Sequence, residues 1–318
     1  MHRLLTSLLL LALALPAQAA WPDRPITLVV PFAGGAAADV MARAMLPHLT
    51  AAFGQPVVIL NVPGASGSIG IDRVAKAPPD GYMLVMPGDA GVVVRPSMQP
   101  PLPYHPQRDL AAITMIGRTP NVLTIATSLP YRSLADLVAA ARAQPGRLTY
   151  AHAGLGTSQH IAGEVLKQMG NLDITAVVYP VSAQQLMDVM EARVTMQFGN
   201  IIIQTPRLRD GSLRALAVTS GARWPSLPDV PTVAEQGFPG FEVMAWYGLF
   251  ARAGTPEEVI ARIHRDFVAT LALADVRARL VDLGVEVVAN TPTEFAGVIA
   301  RDIPRMRQVL ETAGAIGQ

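Results

Sequence analysis

The chain has 318 residues, with 25 Lys and Arg against 24 Asp and Glu, no cysteine and 5% aromatic residues. A near-neutral, aromatic-poor chain lacks the basic surface that nucleic acid or an anionic membrane would require. The missing thiols exclude disulfides and thiolate metal sites, so whatever is bound is held by a local site, and neither a cofactor nor a nucleic-acid partner is implied.

The first residues stand apart. Met1-His2-Arg3 is a short positive start, Leu4 to Leu15 is almost unbroken apolar sequence, and Ala17-Gln18-Ala19 is a small-residue A-x-A site. That layout predicts a secretory signal peptide over 1–19, cleaved near Ala19, for export to the periplasm. Without Arg3 the charges balance at 24 and 24 over 318 − 19 = 299 residues. No later apolar run is long enough for a membrane span, so the mature chain is expected to be soluble. Its length, without disulfides, points to two lobes.

Taken in order, Ile26-Thr-Leu-Val-Val30 reads as a strand buried on both faces. A helix is expected over 39–52, with a kink or break at Pro47. A strand over 57–60, a helix over 69–75 and a strand over 82–86 follow. Further strands are expected over 121–126, 148–152, 175–179, 195–198 and 214–219, and helices over 157–169 and 183–191. Ser133-Leu-Ala-Asp136 opens another helix with a capping pattern. Thr255-Pro-Glu-Glu258 and Thr291-Pro-Thr-Glu294 each combine an N-cap Thr with Pro and Glu, and predict helices over 257–272 and 292–312. The Pro-rich stretches near 96–106 and 225–239 read as ordered loops. Strands alternating with helices argue for an α/β fold with a parallel-rich sheet.

Three Gly-rich turns lie between a strand and a helix: Phe32-Ala-Gly-Gly-Ala36, Gly64-Ala-Ser-Gly-Ser-Ile-Gly70 and Gly154-Leu-Gly-Thr-Ser158. Each lets backbone approach a ligand and leaves amides at a helix N-terminus, where the dipole favours a carboxylate. Any one of them also serves as an ordinary tight turn, with Thr157 or Ser158 only capping a helix. The dinucleotide reading fails because Gln159 stands at the last glycine of the fingerprint. Gly64-Ala-Ser66-Gly-Ser68 misses the final Gly of a nucleophile elbow, and Ser158 with His160 lacks an orienting carboxylate. Histidines 48, 105, 152, 160 and 264 are scattered without a metal-binding pattern. Met83, Met86, Met187, Met190 and Met196 fall at core positions. Trp246-Tyr247 either lines a cleft or plugs a crossing between lobes.

The segments Pro25-Ile-Thr-Leu-Val-Val-Pro-Phe32, Gln55-Pro-Val-Val58, Asn61-Val-Pro-Gly-Ala65, Pro79-Asp-Gly-Tyr82, Gly154-Leu-Gly-Thr-Ser-Gln-His160, Leu213-Arg-Ala-Leu-Ala-Val-Thr-Ser220 and Leu227-Pro-Asp-Val-Pro-Thr-Val-Ala-Glu235 resemble the Bug receptors. These are the periplasmic binding proteins of tripartite tricarboxylate transporters. The resemblance runs through essentially the whole mature chain in unbroken order. It implies an α/β, two-lobed periplasmic binding protein of the type II-like, Venus-flytrap kind, each lobe a mixed, mostly parallel sheet flanked by helices. Lobe one would be 20–122 with 246–318, and lobe two 123–245, with the ligand cleft between them.

By position, the resemblance places ligand contacts at Phe32, Ala33, Gly35, Ala36 and Ala37, at Ser66 and Gly67, at Gly88 and Asp89, at Gly156, Thr157 and Ser158, and at Asn200. Tyr179, Trp246 and Arg95 are further candidates. Arg95 would grip a carboxylate through its fork or else lie on the surface. The chain departs from the family at several of these points. Ala37 and Ala38 replace a Ser-Thr pair, Gly88-Asp89-Ala90 replaces a hydroxyl-rich turn, Pro180 follows Tyr179 where Lys is usual, and Gly199 replaces an Asp. Buried beside a carboxylate, Asp89 must meet a cation, an amine or water. The implied function is a monomeric, non-catalytic receptor that closes on a small organic acid and delivers it to membrane permease subunits. The alternatives are a co-receptor for a sensor kinase and, from another class, a periplasmic hydrolase.

Overall fold

The structure, a computed structural model, describes residues 21–98 and 101–312. The expected signal peptide lies outside the described residues. β1 (Ile26–Val30) is buried along almost its whole length, as a strand covered on both faces must be. α1 (Ala37–Phe53) turns Met41, Met45, Leu49 and Phe53 inward and ends at Gly54 in the left-handed conformation, whose amide bonds the carbonyls of Thr50 and Ala51. Pro47 lies inside α1 without ending it. The buried stripe on both sides of the proline holds the helix through the one backbone bond that proline cannot make.

β2 (Val57–Asn61), α2 (Ser68–Ala75) and β3 (Met83–Val85) complete a βαβ unit in which β2, β1 and β3 run parallel. A π-helical turn (Ala90–Val94) follows, with every residue buried. After α3 (Pro106–Asp109), β4 extends from Leu110 to Ala126, well beyond the expected 121–126. α4 (Leu134–Ala143) starts with the predicted capping box of Ser133 and Asp136. Next come β5 (Thr149–His152), α5 (Ser158–Gly170), β6 (Thr175–Val178), α6 (Ser182–Met190) and β7 (Met196–Asn200). They are followed by α7 (Ile201–Arg209) and β8 (Leu213–Val218).

β9 (Met244–Arg252), α8 (Glu257–Ala272), α9 (Ala274–Asp282), β10 (Glu286–Val287) and α10 (Pro292–Thr312) close the chain. Thr291 and Glu294 form the expected reciprocal cap of α10. Thr255 does not cap α8. Its hydroxyl donates back to the Arg252 carbonyl, and Pro256 takes the N-cap position. Of the methionines expected in the core, Met86 and Met196 are buried, whereas Met187 is 49% exposed on the outer face of α6.

The strand order is β2-β1-β3-β9-β4-β7-β5-β6, with β8 and β10 also pairing β4. β4 is the shared element. Residues Leu110 to Pro120 pair antiparallel with β9, while Asn121 to Ala126 pair with β7 and β8. β9 is the second long strand at this crossing. The Thr219 hydroxyl ties the two passages together, accepting from the Asn121 amide at 2.8 Å and donating to the Val243 carbonyl at 2.6 Å. Separate cores lie on the two sides. Leu28, Met41, Ile116 and Phe267 belong to one, and Leu123, Tyr150, Ile161 and Phe198 to the other. This is the two-lobed, mostly parallel α/β architecture that the resemblance implies.

Candidate functional site

Ligands of open α/β sheets collect beyond the carboxyl ends of the parallel strands. Here those ends converge on a cavity of about 70 Å³. Phe32 follows β1, Gly88 and Asp89 follow β3, Ala153 follows β5, and Asn200 closes β7. Ala245 and Tyr247 line it from β9 at the crossing. The wall is therefore built from both cores.

Helix ends supply its donors. α1 begins at Ala37 behind Ala36, which offers no side-chain acceptor to the first turn. Ala36, Ala37 and Ala38 all line the cavity, so the opening amides of α1 are left for a ligand or water. The Gly35 amide is already taken by Asp39, whose carboxylate also accepts from Arg43 and Asn61. Although burial raises it, these hydrogen bonds hold Asp39 below the usual carboxylate range. Across the cavity, Thr157 caps α5 by accepting from the His160 amide, and its hydroxyl donates to the Gly154 carbonyl at 2.7 Å. Thr157, Ser158 and Gln159 line the opposite wall. Two helix N-termini thus meet at one site, and their dipoles favour a negative group there.

The turn leading into α5 rests on two histidines. His152 accepts from the Gly154 amide and His160 from the Gly156 amide, each through Nδ1. Their rings lie 4.9 Å apart and are buried. Burial, and then the neighbouring His152, lowers His160 to about 4, and burial likewise lowers His152. Both rings are therefore neutral acceptors. Ser158 Oγ approaches Asn121 Oδ1 at 3.5 Å, so Ser158 and His160 are engaged with different partners. A nucleophile–base pair is not assembled.

Of the residues singled out in the sequence, Phe32, Ala36, Ala37, Gly88, Asp89, Thr157, Ser158 and Asn200 line the cavity. Ala33, Gly35, Ser66, Gly67, Arg95, Gly156, Tyr179 and Trp246 do not. Ser66 instead bridges two Gly-rich turns far apart in sequence, donating to the Leu155 carbonyl at 2.7 Å. Gly156 has a φ of +77°, and a Cβ there would press on Met98 and Val94 at 3.0 Å. Arg95 lies buried beneath that glycine, its Cδ 3.6 Å from the same position, and is not the surface arginine that the Pro96 turn suggests. The Tyr179 hydroxyl donates to Asp188 on the outside of α6. Trp246 faces away into a second cavity of about 850 Å³, which also touches Asp89 and Ser158 from behind.

Tyr247, one of the two aromatics read as lining a cleft or plugging the crossing, lines the cavity, and Gln159, Ser182 and Ile203 are lining residues that motif reading gave no reason to single out as contacts. Beneath them runs a chain of buried amides. Gln185 donates to Gln159 and Gln197, and Gln197 donates to Gln204. Asn200 donates to Thr119 and Tyr247 and caps α7 through the Ile202 amide. Asp89, only 8% exposed, is the sole carboxyl in the lining among the described residues. Burial pushes it up to about 7, and nearby Asp302 adds to the effect.

A twin-core α/β fold with a donor-rich cavity at its strand crossing defines a two-lobed solute-binding protein. Residues 41–315 match the model of the tripartite tricarboxylate transporter family receptor, TctC. The chain belongs to that family, which is one of solute-binding receptors. It is similar to the protein BugT of Bordetella pertussis (strain Tohama I), with 34% identity over 93% of this chain and 91% of BugT. The structure of R. palustris Rpa4515 with adipate superposes with a TM-score of 0.91 at 36% identity, covering 94% of this chain and all of that one. MatC (Rpa3494) from Rhodopseudomonas palustris with bound malate gives 0.86 at 32% identity, covering 91% of this chain and all of that one.

Proposed function

We propose that the protein is a periplasmic receptor that captures a small carboxylate-bearing organic acid by closing two lobes on it and delivers it to the permease subunits of a tripartite tricarboxylate transporter. The observation that carries this reading is the meeting of the N-termini of α1 and α5 across one cavity, which the first-turn residues of both helices line. Relatives with adipate and malate bound support the acid class. In this reading 20–122 and 246–318 form lobe one, 123–245 forms lobe two, and the chain works as a monomer after removal of 1–19. Closure is favoured only by contacts that the ligand makes in the closed state. The disengaged Ser158 and His160 favour binding over hydrolysis.

A thermal-shift screen of residues 20–318 against mono-, di- and tricarboxylates, aromatic acids and amino acids tests the reading. An acid at 100 times its Kd adds about 2.7 kcal/mol of stability, a shift of a few degrees at this size. A saturable shift by one acid class is expected, and no shift by any compound in ligand-free protein overturns the receptor assignment. In the same assay Thr157→Asp still caps α5 but loses the donation to the Gly154 carbonyl, so its folding is checked by circular dichroism. Its added negative charge facing the cavity abolishes the shift. A shift that survives the substitution removes Thr157 from the site.

A further inference from the structure

The cavity poses an electrostatic problem. Among the described residues no Lys, Arg or His side chain lines it, yet it holds a carboxyl of its own, Asp89. That carboxyl accepts from the Ala90 amide. It faces the Tyr247 phenol on β9, which burial and Asp89 together raise, and the Asp302 carboxyl on α10. The surrounding charges act elsewhere. Arg301 and Arg305 act on Asp302, which also bonds the Trp246 indole. Arg43 is bound to Asp39 on α1, and Lys167 to Glu164 on α5. Arg95, just past the π-helical turn, lies under Gly156.

An acid entering this space meets a second acid with no cationic side chain in the lining. Two carboxylates in contact in a poorly solvated cavity cannot both remain ionised. One proton between them converts the repulsion into a short O–H···O⁻ hydrogen bond, among the stronger kinds available. We propose that the cavity takes a small dicarboxylic acid together with one proton, held between the Asp89 carboxyl and one carboxyl of the ligand. The helix N-termini then receive the ligand's remaining negative charge. The proton comes from solvent and sits on Asp89, whose O–H donates to the ligand carboxylate, so no other bond is made or broken. Burial of Asp89 makes that proton available near neutral pH. Asp89 is thus a specificity residue, selecting against ligands whose ammonium group would require it ionised.

This inference rests on the receptor reading, and the test separates the two. Succinate, malate and adipate are titrated calorimetrically into the protein, in paired buffers of different ionisation enthalpy, from about pH 6.5 upward, where free carboxyls no longer titrate. Uptake is expected to rise from a fraction of a proton per site near pH 6.5, where Asp89 already carries much of it, toward one above about pH 8, with affinity falling about tenfold per pH unit above about 7. Asp89→Asn, checked for folding by circular dichroism, is expected to bind without uptake and with a flat pH profile. If that variant does not fold, the wild-type buffer pairs decide alone. A dicarboxylate bound without proton uptake, or more tightly as pH rises, overturns the inference and leaves the receptor standing. Binding confined to amine-bearing or uncharged compounds does the same. If nothing in the wider screen binds, the receptor reading falls and takes this inference with it.

Discussion

Gly199 shows how one residue's loss is absorbed by another. The resemblance leads one to expect an aspartate there, and its absence reads in the sequence as a polar group deleted from the site. In the structure a Cβ at 199 would lie 2.0 Å from Gln204 Nε2, so that space is filled by the glutamine amide. Gln204 is buried and held by Gln197 and Thr124. Gly199→Asp therefore clashes within a bonded network, and about 1–3 kcal/mol of destabilisation is expected. Gln204→Ala in the same chain should return part of that loss. Denaturant unfolding of the two single variants and the double variant measures the coupling, and strict additivity would mean the two residues do not compete for the space. The substitution pair was not legible beforehand because positions 199 and 204 meet only through the turn from β7 into α7, and a buried glutamine has no motif. Phe32, Thr157 and Ser158 were legible because strand-to-helix turns leave a pattern of glycines and hydroxyls, and Asn200 only because of the family resemblance. Ser182 and Ile203 reach the cavity through tertiary packing alone.

Among the elements, the turn entering α5 carries the clearest pH signature. His152 and His160 are held neutral as acceptors for the Gly154 and Gly156 amides. His160 is lowered from 6.5 to about 4, so between those values the unfolded chain binds a proton that the native ring refuses. Stability is thus retained above about pH 6.5 and lost as pH falls toward 4, by about 3 kcal/mol for that ring. Asp89, raised to about 7, works in the opposite sense and gains stability on acidification. The comparison that isolates the ring is His160→Gln against the wild type. The variant is expected to show a shallower loss between pH 6.5 and 4 in urea unfolding, whereas identical acid limbs would remove His160 from the account. Other elements show why sequence patterns reached only part of the fold. Of the kink or break expected at Pro47, the break is overridden by burial along α1, and the start of β4 is masked by Gly117 and Pro120. β9 is buried through nearly all its length between β3 and β4 and lacks the alternation that marks a half-exposed strand.

At the scale of the whole molecule, α10 joins what the strand crossing separates. Phe295 and Ile299 near its start belong to the core around β1 and β3, while Leu310 near its end is fully buried in the core around β5 and β7. Leu310→Ala is expected to cost about 2–5 kcal/mol and to release the last turns of α10 from hydrogen-exchange protection, with the first turns still protected. Uniform protection along the helix would show that its end is not anchored. Between the two anchors sits Pro304, which lacks the amide needed for a helical bond to the preceding turn. A rod pinned at both ends and weakened in the middle is a flexure. Parting the two cores must bend it at Pro304 or pull Leu310 from its socket. Under the proposed lobe closure, either movement costs packing that the helix holds here, so opening and closing would be weighed by this helix like the jaws of a clothes peg as well as by whatever lies between them.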